Sequence, residues 1–404
     1  MCSVRNSRLT NKNAFDNMTN PIFTSLFIYG LIALLFYIIG NGYSSANHNQ
    51  LYVTRTHSVG VLFYVVLFFV IFSGLRENTG SDTVGYVEQY NLFSRNETYM
   101  YDHYEMGWHY FTRFFVMMGA PSWFYLSFIA FIQISSLLFL IRKFPVVTPY
   151  VLLLIIISGE FLNMWNGLRQ EMVSYICIGL VVIMNRGGLK LFLLYVIFVY
   201  ILAFFHKSAL VLLILWPLFR TGKIIPLNKY LILGIWIVCS ILGEQKLWIT
   251  NLNALEIIAP YFGYEFDVDA TMGWINSFDE QNAGFRTIAK YIVDFVLIFY
   301  GVEFAKKEGV NKYIAFFYNT FIIFILVSPL FNGARMFLRL LMYLQPYYLI
   351  FSAFVVMDLV KSKERIRIYA AYTVLILNVL MLVAAVLTSN INSGAIYNTI
   401  IACK

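Results

Sequence analysis

The sequence predicts an all-α polytopic membrane protein with about twelve transmembrane helices and two larger polar segments on one face. Three observations predict it. The first is composition: 60% of the 404 residues are hydrophobic, 12% are charged, and mean hydropathy is +0.71, whereas a soluble domain is about half apolar and about a quarter charged. The second is arrangement, because the apolar residues fall into successive runs of the length that hydrocarbon demands. The third is charge placement. The net charge of +8, from 29 Lys and Arg against 21 Asp and Glu, comes from basic residues in short loops, as membrane orientation requires. No basic stripe interleaved with exposed aromatics is present, so nucleic acid is not expected as a partner.

In chain order the apolar runs cover 22–40, 58–75, 122–141, 147–162, 171–185, 190–205, 208–219, 230–243, 287–305, 312–331, 336–358 and 366–388. All read as helices, because lipid leaves a strand edge unsatisfied. The run at 208–219 is short for a span and reads equally as half of a re-entrant pair with 190–205. No internal repeat or low-complexity segment is visible. The organisation is therefore a leader at 1–21, a single transmembrane domain at 22–388 and a tail at 389–404. Polar segments interrupt the domain at about 76–121 and 244–286.

Lys and Arg in short loops set orientation. Arg142 and Lys143, Arg186 and Lys190, the Arg220–Lys229 loop, the Lys306–Lys312 loop and the Lys361–Arg367 loop all fall on one side when helices alternate. That side is cytoplasmic. Both polar segments, the turns at Arg169, His206 and Arg335, and the C-terminus are then outside. The same count puts residues 1–21 outside despite Arg5, Arg8 and Lys12. Either 106–119 (MGWHYFTRFFVMMG) is an extra span or the natural start is Met18. The second is favoured, because Arg113 and His109 are costly against lipid, and the stretch suits an amphipathic helix on the outer surface.

Five places at the outer face carry candidate chemistry, since an ionisable group at the rim of a membrane bundle is expensive. In RENTGSDTVGYVEQY, residues 76–90, Gly80 permits a tight turn from which Asp82 projects beside Arg76, with Tyr86 and Tyr90 one helical turn apart. A carboxylate beside an arginine serves as a base or a sugar-hydroxyl ligand; the plainer reading is a helix end followed by an N-cap. In WNGLRQE, residues 165–171, Arg169 offers a fork for phosphate or carboxylate, against the plainer role of an interfacial anchor. In FFHKSAL, residues 204–210, His206 is a candidate general base and Lys207 a candidate partner for an anion; an interfacial His–Lys pair is the alternative. In FNGARMFLRL, residues 331–340, Arg335 and Arg339 share a helix face and together suit a diphosphate. The plainer role for Arg335 is an interfacial anchor; for Arg339 it requires a buried acidic partner, and the neighbouring runs offer no strong one, Asp294 being the only intramembrane ionisable group nearby. Asp267 and Asp269 resemble a metal-holding pair, but sit in an already acidic loop, so no metal is expected.

No phosphate loop, dinucleotide fingerprint, zinc-protease helix or nucleophile elbow is present, which argues against an ATP-driven pump, a Rossmann enzyme, a zinc protease and an α/β-hydrolase. Four cysteines without paired spacing indicate neither a disulfide framework nor a zinc site.

The ordered strings GLRENTGSDTVGYVEQY, NGLRQEMVSYICIGL and FHKSALVLL resemble the EpsG-type branch of the Wzy surface-polysaccharide polymerases, from about residue 60 to 340. The long N-terminal leader departs from that pattern. The resemblance implies a GT-C-like glycosyltransferase of the bacterial inner membrane that needs no metal or cofactor. Such an enzyme joins undecaprenyl-diphosphate-linked repeat units at the periplasmic face. It further implies, as partners, the lipid-linked oligosaccharide, membrane lipid and a chain-length regulator. On this reading Arg169, Arg335 and Arg339 bind the diphosphate, Asp82 or His206 takes the acceptor proton, Arg76 fixes Asp82, and Tyr86 lines the sugar site. An O-antigen ligase shares the donor, and a lipid-linked oligosaccharide flippase is the rival from another class. Polar clusters on one side and the lack of repeats weigh against the flippase.

Overall fold

In the computed structural model the described residues are 11–77, 79–80, 82–95, 105–185, 187–245, 284–308, 311–331, 335–389 and 395–398, with side chains described from 21 onward and not at 308 or 335–337. They form sixteen α-helices and no β-strand, so the all-α expectation holds. Asp267 and Asp269, and nearly all of the second polar segment, lie outside the described residues.

Among the described residues four helices are long and apolar enough to cross a membrane: Pro21–Ala46, Ser122–Ile141, Lys312–Phe331 and Arg365–Leu387. A fifth span arises if Thr148–Ile157 and Glu160–Asn166, bent by 64°, count as one. Shorter apolar helices cover Gly60–Gly74, Leu189–Ala203 and Gln345–Val360. The chain is thus an all-α membrane protein, with several apolar runs folded as shorter or broken helices. The run at 336–358 divides into Arg335–Met342 and Gln345–Val360, and 208–219 becomes a 3-10 turn followed by Leu215–Thr221. Gly159, at φ +79°, makes the bend in the 148–166 pair; glycine adopts that backbone conformation freely.

The chain divides into two compact units. The first comprises 1–213 and 378–404. Its helices are α1 (Asn11–Ala46), α2 (Gly60–Gly74), α3 (Thr83–Ser94), α4 (Met106–Met117), α5 (Ser122–Ile141), α6 (Thr148–Ile157), α7 (Glu160–Asn166), α8 (Leu168–Met184) and α9 (Leu189–Ala203). The tightest layers are α1 on α6, α5 on α8 and α2 on α5. Small residues let the backbones approach: a Cβ on Gly40 would lie 2.6 Å from Pro149 Cα, and one on Gly74 would collide with Ser127. The outward face of α1 carries Phe23, Phe27, Leu31, Leu34 and Ile38, a stripe that only lipid covers well.

The stretch around residue 110 is α4, which is too short to cross a bilayer. It buries Trp108, Thr112 and Phe115 and exposes Met106, Tyr110, Phe114 and Met117, the pattern of a helix lying along a membrane surface. The C-terminal segment also takes part in the fold. Ala395, Ile396 and Tyr397 are buried; Tyr397 donates to Phe72 O at 2.8 Å, Tyr29 donates to Ala395 O at 2.6 Å, and Glu77 N–H donates to Asn398 O at 2.8 Å. These bonds bring the N-terminal part of α1, the 76–80 loop and the chain end to one end of the unit. Arg142 and Lys143 lie at the other, where Tyr43 donates to Arg142 O at 2.6 Å.

The second unit, 214–377, is centred on Lys312–Val327 packed against Gln345–Val360, both buried on nearly every face. Asp294 is fully buried in the helix Phe285–Glu308 and is served there by Lys290 Nζ at 2.5 Å and the Tyr348 hydroxyl at 2.8 Å. Glu303 and Asp358 pair with Lys229, Arg367 and Lys307, tying four helices at one end of this unit.

Candidate functional site

The site of the first unit is built from the turns that follow its helices. After α2 the chain passes Arg76 and turns at Gly80, whose φ of +89° bears out the tight turn expected there. A Cβ on Gly80 would sit 2.4 Å from Asn166 Oδ1, so the turn rests directly on the WNGLRQE loop. The Thr83 hydroxyl donates to Trp165 O at 3.2 Å and locks the two strings together.

Beyond that turn, α3 lays Tyr86, Gln89 and Tyr90 against α4, and Trp108 of α4 donates its indole N–H to Gln89 Oε1 at 3.0 Å. Tyr86, Tyr90, Trp108, Phe115, Tyr125, Leu168 and Met172 form one buried cluster, which holds α4 with its N-terminus over the ends of α8 and α9. Gly107 makes the close approach there: its N–H donates to Phe204 O at 2.9 Å, and a Cβ would fall 2.6 Å from the same oxygen.

This arrangement delivers Glu105. It stands at the N-cap of α4 yet its side chain caps nothing. The carboxylate turns instead to three groups from two other loops. Arg169 Nη1 is hydrogen-bonded to Oε2. The Lys207 backbone N–H donates to Oε1 at 3.0 Å. His206 Nδ1 lies 3.3 Å from Oε1, within ion-pair range although off the line of a good hydrogen bond. The side chains of Arg169, Glu105 and His206 are 15%, 11% and 14% exposed, so the cluster is shielded but reachable. Burial alone would raise the Glu105 carboxyl, but His206, the Arg169 charge and the Lys207 N–H together hold it down at about 2. Arg169 also bears on the Tyr86 hydroxyl, which burial keeps protonated.

The candidates therefore separate. Arg169, His206, Lys207 and Tyr86 converge, and they do so around Glu105, a residue that the sequence does not single out. The available signal was its place as the last acid before the amphipathic stretch. Asp82 is exposed at the head of α3, within electrostatic reach of Tyr86. Arg76 is 2% exposed, hydrogen-bonded to Ser73 O and placed over the Trp165 ring at 5.1 Å. Burial pushes its guanidinium down to about 9, which leaves it charged at neutral pH. Arg335 and Arg339 belong to the second unit, on the helix Arg335–Met342; Arg339 is exposed, and the Arg335 side chain lies outside what is described.

The EpsG family model matches residues 60–398, which takes in every part of this cluster. The chain belongs to the EpsG family. Family membership makes it a membrane protein of polysaccharide biosynthesis, in a family associated with glycosyltransferase-like polymerases. No curated protein and no solved structure matches it.

Proposed function

We propose that this EpsG-family protein is a glycosyltransferase of about twelve spans and GT-C-like architecture that polymerises polysaccharide repeat units carried on undecaprenyl diphosphate, at the periplasmic face of a bacterial inner membrane. The observation that supports it is the convergence of Glu105, Arg169, His206 and Lys207 from three separate loops. Arg169 and the imidazole flank the carboxylate, and the exposed Lys207 adds a further positive charge beside them, a setting that suits a diphosphate better than a neutral sugar alone.

The chemistry follows from the two ends of the imidazole. With Nδ1 turned to Glu105, Nε2 is the nitrogen left to meet substrate. In the transfer, the acceptor hydroxyl oxygen bonds to the anomeric carbon of the donor sugar and its proton passes to Nε2. The bond from that carbon to the diphosphate oxygen breaks, and the electron pair leaves with the lipid diphosphate. Arg169 and Lys207 stabilise the charge that develops on the leaving group, and Tyr86 borders the sugar. His206 suits the base better than Asp82, because it is shielded and held by a carboxylate while Asp82 is exposed. Diphosphate binding by Arg335 and Arg339 is carried forward as part of the same proposal on the sequence alone.

The test is the polysaccharide ladder of a deletion strain complemented with wild type, Glu105→Gln, Arg169→Ala or His206→Ala. Loss of long chains with retention of the single capped repeat supports polymerisation. Loss of the capped repeat as well points to a ligase, and a normal ladder from all three variants defeats the reading.

A further inference from the structure

Directly beneath the outer cluster the first unit buries a second polar group of side chains, between α5, α7 and the first two turns of α8. Leu126 and Ile129 of α5 share one buried cluster with Leu168 and Met172 of α8, and Ser136 of α5 is the neighbour of Gly179 of α8. The two helices therefore run side by side in the same direction. Gln133, between these contacts, stands level with the turn that carries Ser174 and Tyr175. Its amide Nε2 donates to Met164 O at 3.0 Å, which aims the side chain at α7. Glu160 opens α7, just past the break at Gly159, and accepts from the Tyr175 hydroxyl at 3.2 Å and from Asn163 Nδ2 at 3.1 Å. Glu171 lies one turn before Tyr175 on α8 and acts electrostatically on both Glu160 and Tyr175.

Gln133, Glu171 and Ser174 are fully buried, and Glu160 is 3% exposed. Four atoms in this group have no partner: Gln133 Oε1, both carboxylate oxygens of Glu171, and Ser174 Oγ. An unpaired polar atom in such a place costs on the order of 1–3 kcal/mol, and a carboxylate more. The open atoms are all oxygens, and Gln133 and Ser174 are observations independent of the acid pair. Unpartnered buried oxygens in the same polar group as two carboxylates call for a hard cation. Glu160 already has two donors, so one positive charge answers the need of Glu171. No third acid, His or Cys joins the pair among the described residues, and a divalent ion takes more oxygen ligands or keeps several waters.

We propose that Gln133, Glu160, Glu171 and Ser174 form a buried binding site for one alkali-metal cation between α5, α7 and α8. Its residues are not those of the outer cluster, and it does not depend on what that cluster catalyses.

The experiment is thermal unfolding of the purified full chain in detergent at fixed pH, with NaCl or KCl titrated against choline chloride at constant ionic strength. Binding to the folded state raises the midpoint in a saturable way. Wild type and Glu88→Gln, an exposed control on α3, show that rise; Glu171→Gln does not. Ser174→Ala keeps the rise but needs about tenfold more salt to reach it, the loss of roughly one ligand contact. A midpoint indifferent to Na⁺ and K⁺, or a rise that survives in Glu171→Gln, overturns the site. So does a wild-type midpoint that ignores alkali ions at each pH of a series and instead falls from one pH to the next as pH rises, since the occupant is then a proton. If Glu171→Gln does not fold, an unshifted titration in Ser174→Ala overturns it equally.

Discussion

Glu105 Oε1 lies 3.3 Å from His206 Nδ1, and the other oxygen of the same carboxylate holds Arg169. One acid thus orients both the candidate base and the candidate anion ligand. Replacing it by glutamine leaves the size of the side chain and removes the charge. Glu105→Gln is expected to lower polymer formation by about 10²-fold, the scale of a mispositioned catalytic group. Gel profiles of complemented deletion cells measure it.

The same carboxylate makes a prediction about acid. Its folded value of about 2 lies below its ordinary 4.5, so its contribution to stability is fully present above about pH 4.5 and is lost as pH falls toward 2. Unfolding midpoints measured between those limits should drop more steeply in wild type than in Glu105→Gln. Parallel curves would show that the cluster does not stabilise the charged carboxyl.

His206→Gln keeps a polar side chain in place but takes away the base. It should reduce turnover by about 10²- to 10⁴-fold while leaving the affinity for lipid-linked donor close to wild type. An assay with purified enzyme and lipid-linked repeat unit separates the two quantities. A change in affinity alone would make His206 a binding residue.

Arg169→Ala removes the fork beside Glu105 and should cost about 10²- to 10³-fold in transfer, with the single-repeat product retained. Arg169→Lys restores charge without the planar geometry and should recover only part of that loss. Arg335→Ala is expected to abolish the long-chain ladder as well.

Gly107→Ala tests the scaffold rather than the chemistry. Its new Cβ would meet Phe204 O at 2.6 Å, forcing α4 and the loop before His206 apart. Activity should fall although no charged group has changed. Gly80→Ala, strained both by a φ of +89° and by Asn166, should lower stability by about 1–3 kcal/mol, read as a lower unfolding midpoint.

By itself the sequence determined the class: a chain 60% hydrophobic in long apolar runs has to be a helical membrane protein, because only helices satisfy their own backbone in lipid. It also determined three of the strings that meet at the site, since Arg169, His206 and Tyr86 stand out as polar groups at helix ends. The tertiary structure decided how they combine. Glu105 reads along the chain as an ordinary loop acid or N-cap, and only the packing of Trp108 and Gly107 against α3 and Phe204 carries its carboxylate to Arg169 and His206. Arg76 stands beside Asp82 in the sequence, yet folding buries it over Trp165 and leaves Asp82 exposed. Hydropathy marks 147–162 as one apolar run, whereas a left-handed Gly159 breaks it and buries Glu160 within electrostatic reach of Glu171. Local composition sets what lipid will accept; which polar groups meet depends on contacts between residues far apart in the chain.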